Sequence, residues 1–403
     1  MRVALIADDL SGASDAAMGF ARAGLSASVS FNAVPTQLST QMLAVDTDSR
    51  TLLQAQAFER VLRIAQALRS APLVYKKLDS TLRGHIALEV RAALEGFERQ
   101  KLIFAPAFPN FERSTHEGVQ LLSGQPIHET AFANDPRNPV RESHLPTLLS
   151  SLGALQVVSR AALQDGQMPT LLESHDKLVI DIQTPNDFQV LISQIGLRED
   201  VLWAGSTGLA YALGDHLTQG AISTAFTNRH ARVLTIVGSV NAISRTQLQT
   251  MRGASKLRFV QLGEHSLEES RAALHRGESV VLHSADVGAT PGTDTVSTTT
   301  VSTPIPDTSA LEHEAARVVA ALADQVANLE GLFDALVLTG GDTAIHIARK
   351  LGASGVHLER ELETGVPYGH LIGPKPHAVV TKAGGFGTPQ TLLNVLNTLR
   401  GSL

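Results

Sequence analysis

The chain has 403 residues, 43% hydrophobic and 18% charged, which rules out wholesale disorder and, at about 150 residues per domain, predicts two or three domains. Lysine and arginine total 33 against 39 aspartates and glutamates, and a net charge of −6 gives neither the basic footprint of a nucleic-acid binder nor a polybasic membrane signal. There is no cysteine, so disulfides, thiolate nucleophiles and cysteine-ligated metals are excluded. Aromatic residues are only 4%, and a core of Ala, Val, Leu and Ile suits α/β layers better than a β sandwich.

The opening MRVALIADDL holds five apolar residues before two aspartates, a first strand over Val3–Ala7 rather than a secretory segment. No apolar run approaches the roughly 18 residues that a membrane span needs, so a soluble, cytoplasmic protein is expected. A helix follows from about Ser14 to Ala23, stopped by Gly24. Leu53, Ala57, Val61, Ile64 and Leu68 recur at helical spacing and predict one amphipathic face. Further strands are predicted at Leu73–Tyr75, Leu102–Ala105, Leu178–Ile182 and Val201–Ala204, with a helix carrying Ile86, Val90, Leu94 and Phe97. A second series begins near Arg232 with the strand RVLTIVGS and a helix over 242–251. The strands LRFVQL and SVVLH, a helix over 310–329, the strand ALVLTG, the helix TAIHIARKLG, the strand AVVTKA and a last helix TLLNVLNTL complete it. Strands alternating with helices predict two domains, each a mainly parallel sheet flanked by helices, with the active site in the cleft between them. The boundary is placed in the Gly220–Arg229 stretch, giving domains over 1–225 and 226–403. Thr290 to Thr308, rich in threonine and proline, reads as a mobile surface loop.

Ligands of open α/β sheets bind beyond the carboxyl ends of the strands. In the first half those ends carry Asp8-Asp9, then Asp46 to Arg50, then Lys76 to Gly84, then Pro106 to Asn110. Aspartates beside Arg and Lys suit a polyhydroxylated anion, because arginine forks a carboxylate and carboxylates accept sugar hydroxyls. In the second half the ends are glycine-rich: Gly238-Ser239, Gly340 to Thr343, and Gly384, Gly385 and Gly387. A glycine turn entering a helix N-terminus is a phosphate cradle, and three at one edge point to a nucleotide. Neither a Walker A pattern nor a GxGxxG after the first strand is present. The histidines, His116, His128 and His144 among them, form no metal motif. Ser206 reads as a buried turn opening a helix, and Trp203 as core.

The segments IADDLSGASDAA, VDTDSR, YKKLDSTLRGH, APAFPN, GSTGLA, VGSVN, LTGGDTA and VTKAGGFG, in this order, resemble the four-carbon acid sugar kinase family from residue 5 to residue 387. The resemblance implies an ATP- and Mg²⁺-dependent kinase acting on the terminal hydroxyl of D-threonate, D-erythronate or 3-oxo-tetronates, with VDTDSR closest to the D-threonate type. It places Asp8, Asp9, Arg50 and the stretch Asp79, Ser80, Thr81, Leu82 and Arg83 at the acid sugar. Ser239, Gly340, Gly341, Asp342, Thr343, Gly384 and Gly385 fall at ATP, with Mg²⁺ ligands unassigned. Ser11 stands where threonine is usual, Phe111-Glu112-Arg113 replaces a small-residue turn before the arginine, and Ile372 to Lys375 interrupts a glycine pair. On this reading Arg50 and Arg83 clamp the substrate carboxylate, and Asp8, Asp9 or Asp79 is the general base. Lys76 or Lys77 neutralises the transferring charge while the other of the two faces solvent. The alternative of a different class is a sugar-acid binding or sensor protein without turnover. The expected partners are a small-molecule acid and ATP, with a homo-oligomer left open.

Overall fold

The computed structural model describes residues 1–36, 39–135, 137–217, 226, 228–238, 242–254, 256–284 and 308–401. These form two compact units, Met1–Ser223 with Gly355–Arg360, and Thr224–Ser354 with Glu361–Leu403. Most of the Gly220–Arg229 stretch, and the segment 290–307, lie outside the described residues.

In the first unit, strands β1 (Val3–Ala7), β2 (Ala27–Phe31), β3 (Met42–Asp46), β4 (Leu73–Lys77) and β5 (Lys101–Ala105) alternate with helices Leu10–Arg22, Gln54–Leu68 and Ile86–Phe97. A small sheet of β6 (Arg113–His116), β7 (Val119–Leu122) and β8 (Gln125–Pro126) interrupts the alternation, and β9 (Gln156–Val158), β10 (Lys177–Ile180) and β11 (Val201–Gly205) resume it. The main sheet runs β2-β3-β1-β4-β11-β5-β10-β9, every neighbouring pair parallel. Strands such as β1, β4 and β11 are buried along their whole length because helices cover both faces, which is why they read as unbroken apolar runs. Val61, Ile64 and Leu68 pack with Val90, Phe97 and Leu102 in one core. Leu53 departs from its expected place. It caps the helix that starts at Gln54 and stands 74% exposed, because the apolar face begins one turn later.

In the second unit, β12 (Val233–Val237), β13 (Leu257–Gln261), β14 (Ser279–His283) and β15 (Ala335–Thr339) are parallel in the order β13-β14-β12-β15. Two long strands follow, β16 (Gly355–Glu363) and β17 (Val366–Ile372), then β18 (Ala378–Lys382), which joins β15 in parallel and β17 antiparallel. The first residues of β16, Gly355–Arg360, belong to the first unit, where Gly355 pairs antiparallel opposite Ser30 of β2 and Leu358 opposite Ala27. Antiparallel strands thus border sheets that are mainly parallel, as expected. Trp203 is fully buried, and Ser206 opens the helix Thr207–Leu217 with its hydroxyl donating to Ala107 O.

Candidate active site

All parallel strands of a sheet end at one edge, so β3, β1, β4 and β5 bring their following turns together. The register sets Ala7 of β1 opposite Asp46 of β3, which places Asp8 and Asp9 alongside the turn that ends in Arg50. Arg50 Nε donates to Asp8 Oδ2 at 2.7 Å, and its Nη2 donates to Asp8 Oδ1 at 3.0 Å and Asp9 Oδ1 at 2.9 Å. The fork expected to hold a ligand carboxylate is therefore closed on two aspartates of the chain. Burial alone would raise the Asp8 carboxyl. The charge and hydrogen bonds of Arg50, with the charges of Lys76 and Lys77, outweigh it and hold Asp8 below the usual carboxylate range. Burial would lower Arg50, yet Asp8, Asp9 and Asp79 together push it well above its ordinary value.

The next turn is built the same way. Asp79 Oδ2 accepts from Thr81 Oγ1 at 2.7 Å and from Arg83 Nε at 2.6 Å. Despite burial, the charges of Arg83 and Arg50 drive the Asp79 carboxyl far below its usual range. Arg83 is raised in turn, chiefly by Asp79, and it reaches Asp135 at 3.6 Å and stacks over Phe132. Leu82 holds a left-handed backbone at φ 60° and Gly84 at φ 91°. A Cβ on Gly84 would stand 3.0 Å from Asp8 Oδ2, so the turn closes against Asp8 only with glycine there. Ser80 is buried and presents its carbonyl to Gln120 Nε2 at 2.9 Å.

Neither lysine of the pair faces solvent: Lys76 is 1% and Lys77 6% exposed. Lys76 Nζ pairs with Glu89 Oε2 at 2.9 Å, and Glu89 Oε1 accepts from Ser49 Oγ at 2.6 Å, a buried network tying β4 to the turn after β3. Lys77 takes the other side of the strand, but the first helix covers that face. Its Nζ donates to Leu78 O at 2.9 Å and would stand 3.1 Å from a Cβ on Gly12, where Asp9 Oδ1 would be 2.5 Å away. Lys77, not Lys76, is the ammonium beside the start of the helix Leu10–Arg22. Asp9 caps that helix by accepting from Gly12 N at 3.2 Å.

In the second unit the glycine turns after β12, β15 and β18 share one edge, because β12 and β18 flank β15 in parallel. Gly340 caps the helix Gly341–Lys350 at φ 90° and donates its N–H to Lys382 O at 2.9 Å. Asp342 and Thr343 lie in the first turn of that helix, and Ser239 lies outside the described residues. A side chain at Gly238 would collide with Oγ1 of Thr343, and Thr339 Oγ1, next to Gly340, is buried with no hydrogen-bond partner among the described residues. A side-chain-free turn at a helix N-terminus beside an unsatisfied hydroxyl fits a phosphate chain. Lys382, which the motif reading passed over, holds the last turn. Its buried Nζ donates to Ala383 O at 2.8 Å, Gly384 O at 3.3 Å and Phe386 O at 2.9 Å, while Ser244 Oγ also donates to Gly384 O. A charged residue ending the apolar strand AVVTK was its signal. Burial pushes the Lys382 amine down to about 8.

Among the described residues no group of three or more histidine, aspartate or glutamate side chains could cage a metal, and no helix is long and apolar enough to cross a membrane.

The description "Sugar-binding N-terminal domain" matches residues 3–213, and "Nucleotide-binding C-terminal domain" matches residues 234–392. The chain belongs to the four-carbon acid sugar kinase family. It is thus a phosphotransferase, and the two matches coincide with the sheet edges rich in charge and in glycine. A D-threonate kinase of Bordetella bronchiseptica is 32% identical over 99% of this chain and 97% of its own length. A 3-oxo-tetronate kinase of Salmonella typhimurium is 23% identical over 96% of each chain. The crystal structure of a Haemophilus influenzae protein shares the fold with a TM-score of 0.73 at 20% identity, covering 98% of this chain and all of that one.

Proposed function

We propose that this kinase transfers the γ-phosphoryl group of ATP to the terminal, C4 hydroxyl of a four-carbon sugar acid, D-threonate before D-erythronate or a 3-oxo-tetronate. The observation that carries the reading is the edge where Asp8, Asp9, Arg50, Asp79 and Arg83 converge inside the sugar-binding match. The higher identity to a D-threonate kinase than to a 3-oxo-tetronate kinase supports placing D-threonate before a 3-oxo-tetronate.

Phosphoryl transfer asks the protein for position and charge more than for covalent help. The turns at Gly340 to Thr343 and Gly384 to Gly385 would bind the triphosphate through backbone N–H groups, and Mg²⁺ would neutralise its developing charge. Of the three candidate bases, Asp8 has both oxygens held by Arg50, and Asp79 is pinned by Arg83 and strongly depressed. Asp9 accepts both its hydrogen bonds through Oδ1, which leaves Oδ2 without a hydrogen bond among the described residues on a side chain 25% exposed. Asp9 is the base this geometry favours, and Lys77 is the neighbouring cation. Phosphorus-coupled carbon NMR of the product formed from D-threonate and ATP tests the position. Coupling at C4 and C3 with none at C2 supports the reading; coupling at C2, or no phosphate ester, overturns it.

A further inference from the structure

Arg113 opens β6, and its backbone exchanges both hydrogen bonds with Phe108, just beyond the end of β5: Phe108 N to Arg113 O at 2.8 Å and Arg113 N to Phe108 O at 3.2 Å. The small sheet is pinned to the turn over 79–84, because Gln120 Nε2 donates to Ser80 O while Gln120 Oε1 accepts from Thr115 Oγ1 at 2.7 Å. Arg113 therefore stands at the same charged edge, where it is attracted by Asp79 and Glu112 and repelled by Arg83. Its guanidinium packs on the ring of Phe111, with the centroid 5.7 Å away.

The arginines at this edge differ in one respect. Arg50 is paired with Asp8 and Asp9, and Arg83 with Asp79 and Asp135. Arg113 has no ion pair among the described residues, and its Nε is buried with no acceptor. Arginine stays charged at any working pH, and a half-buried guanidinium with a buried N–H that no acceptor meets is costly unless a ligand supplies one. Its fork suits two parallel bonds to a carboxylate, the same use that Arg50 has already given to Asp8.

We propose that Arg113 receives the carboxylate of the sugar acid and makes the enzyme prefer the acid over the corresponding polyol. The inference rests on the reading that the first unit holds a four-carbon acid. Arg50 and Arg83 then act as positioning residues that hold Asp8, Asp9 and Asp79.

The test compares wild type, Arg113→Met and Arg113→Lys, after circular dichroism shows each to be folded. Steady-state rates are measured with D-threonate and with D-threitol, which has the same carbons and no charge, and D-threonate binding is titrated by calorimetry without nucleotide. Arg113→Met is expected to raise the KM and Kd for D-threonate about 10- to 100-fold with the KM for ATP unmoved. The loss for threitol is expected to be much smaller, so the preference for the acid falls by a similar factor, and Arg113→Lys recovers part of it. Equal losses on acid and polyol, or an unchanged acid Kd, overturn the proposal. Should Arg113→Met fail to fold, Arg113→Lys carries the same comparison, and an unchanged preference for the acid counts against the proposal. Wild type that binds D-threonate through Arg113 but forms no ADP would overturn the kinase reading and leave Arg113 in place. Turnover that ignores Arg113 does the reverse.

Discussion

Arg50 closes a two-pronged ion pair on Asp8, 42 residues earlier in the chain, with both carboxylate oxygens engaged at 2.7 and 3.0 Å. Asp8 is 4% exposed, so its charge depends on that partner. Removing one member of a buried pair leaves the other uncompensated, which typically costs about 3–5 kcal/mol. Arg50→Ala is expected to lose on the order of 3 kcal/mol by urea denaturation, and adding Asp8→Asn is expected to return part of it. A double variant as unstable as the single would show that the two residues do not depend on each other.

Gly84→Ala tests the turn that leans on the same carboxylate. A left-handed backbone costs a residue with a Cβ about 1–2 kcal/mol, and that Cβ would crowd Asp8 Oδ2. The expected outcome is a urea midpoint lowered by at least that amount together with slower turnover of the acid. Wild-type stability and rate would mean that the turn relaxes freely.

The sheet edge could be read in the sequence because parallel strands end together: once Val3–Ala7 and the strands near Tyr75 and Ala105 were recognised, their following residues had to share one border. The partners along that border were not legible. Asp46 and Asp48 lie nearest Arg50 in sequence, whereas the β1–β3 register delivers Asp8. The expectation that one of Lys76 and Lys77 faces water assumed one open face, and helices cover both. The strands Arg113–His116 and Val119–Leu122 carry no clear two-residue period, so the small sheet that positions Arg113 left no trace in the pattern. Lys382 stands inside the motif VTKAGGFG, but its role is not legible there because its acceptors are main-chain carbonyls.

Acid sensitivity follows from Asp79 and Asp8, both depressed in the folded state. The unfolded chain takes up protons first, so their contribution is complete above the ordinary value of 3.8 and is lost as pH falls below it. Urea midpoints are expected to be insensitive to these groups down to about pH 5 and to fall beneath pH 4, with a shallower fall in Asp79→Asn. Parallel curves for the two proteins would contradict the depressed carboxyl.

Lys382 sets the opposite window. Its amine titrates near 8 when folded against 10.5 when exposed, so the unfolded chain holds the extra proton between those values and this group's share of stability rises with pH there. The deprotonated amine has two N–H bonds for three carbonyls, so one carbonyl of the turn over 383–386 loses its donor. KM for ATP is expected to climb above about pH 8, and Lys382→Met is expected to show a raised KM with little of that climb. An ATP KM in wild type that is flat from pH 7 to 9.5 would detach Lys382 from the nucleotide turn.

The most direct test is a coupled assay of ADP release with ATP, Mg²⁺ and a panel of sugar acids of four, five and six carbons. ADP formed with D-threonate at a kcat/KM above that for D-erythronate, and well above those for the longer acids, is the predicted result. No ADP with any four-carbon acid, while five- or six-carbon acids react, would contradict the assignment.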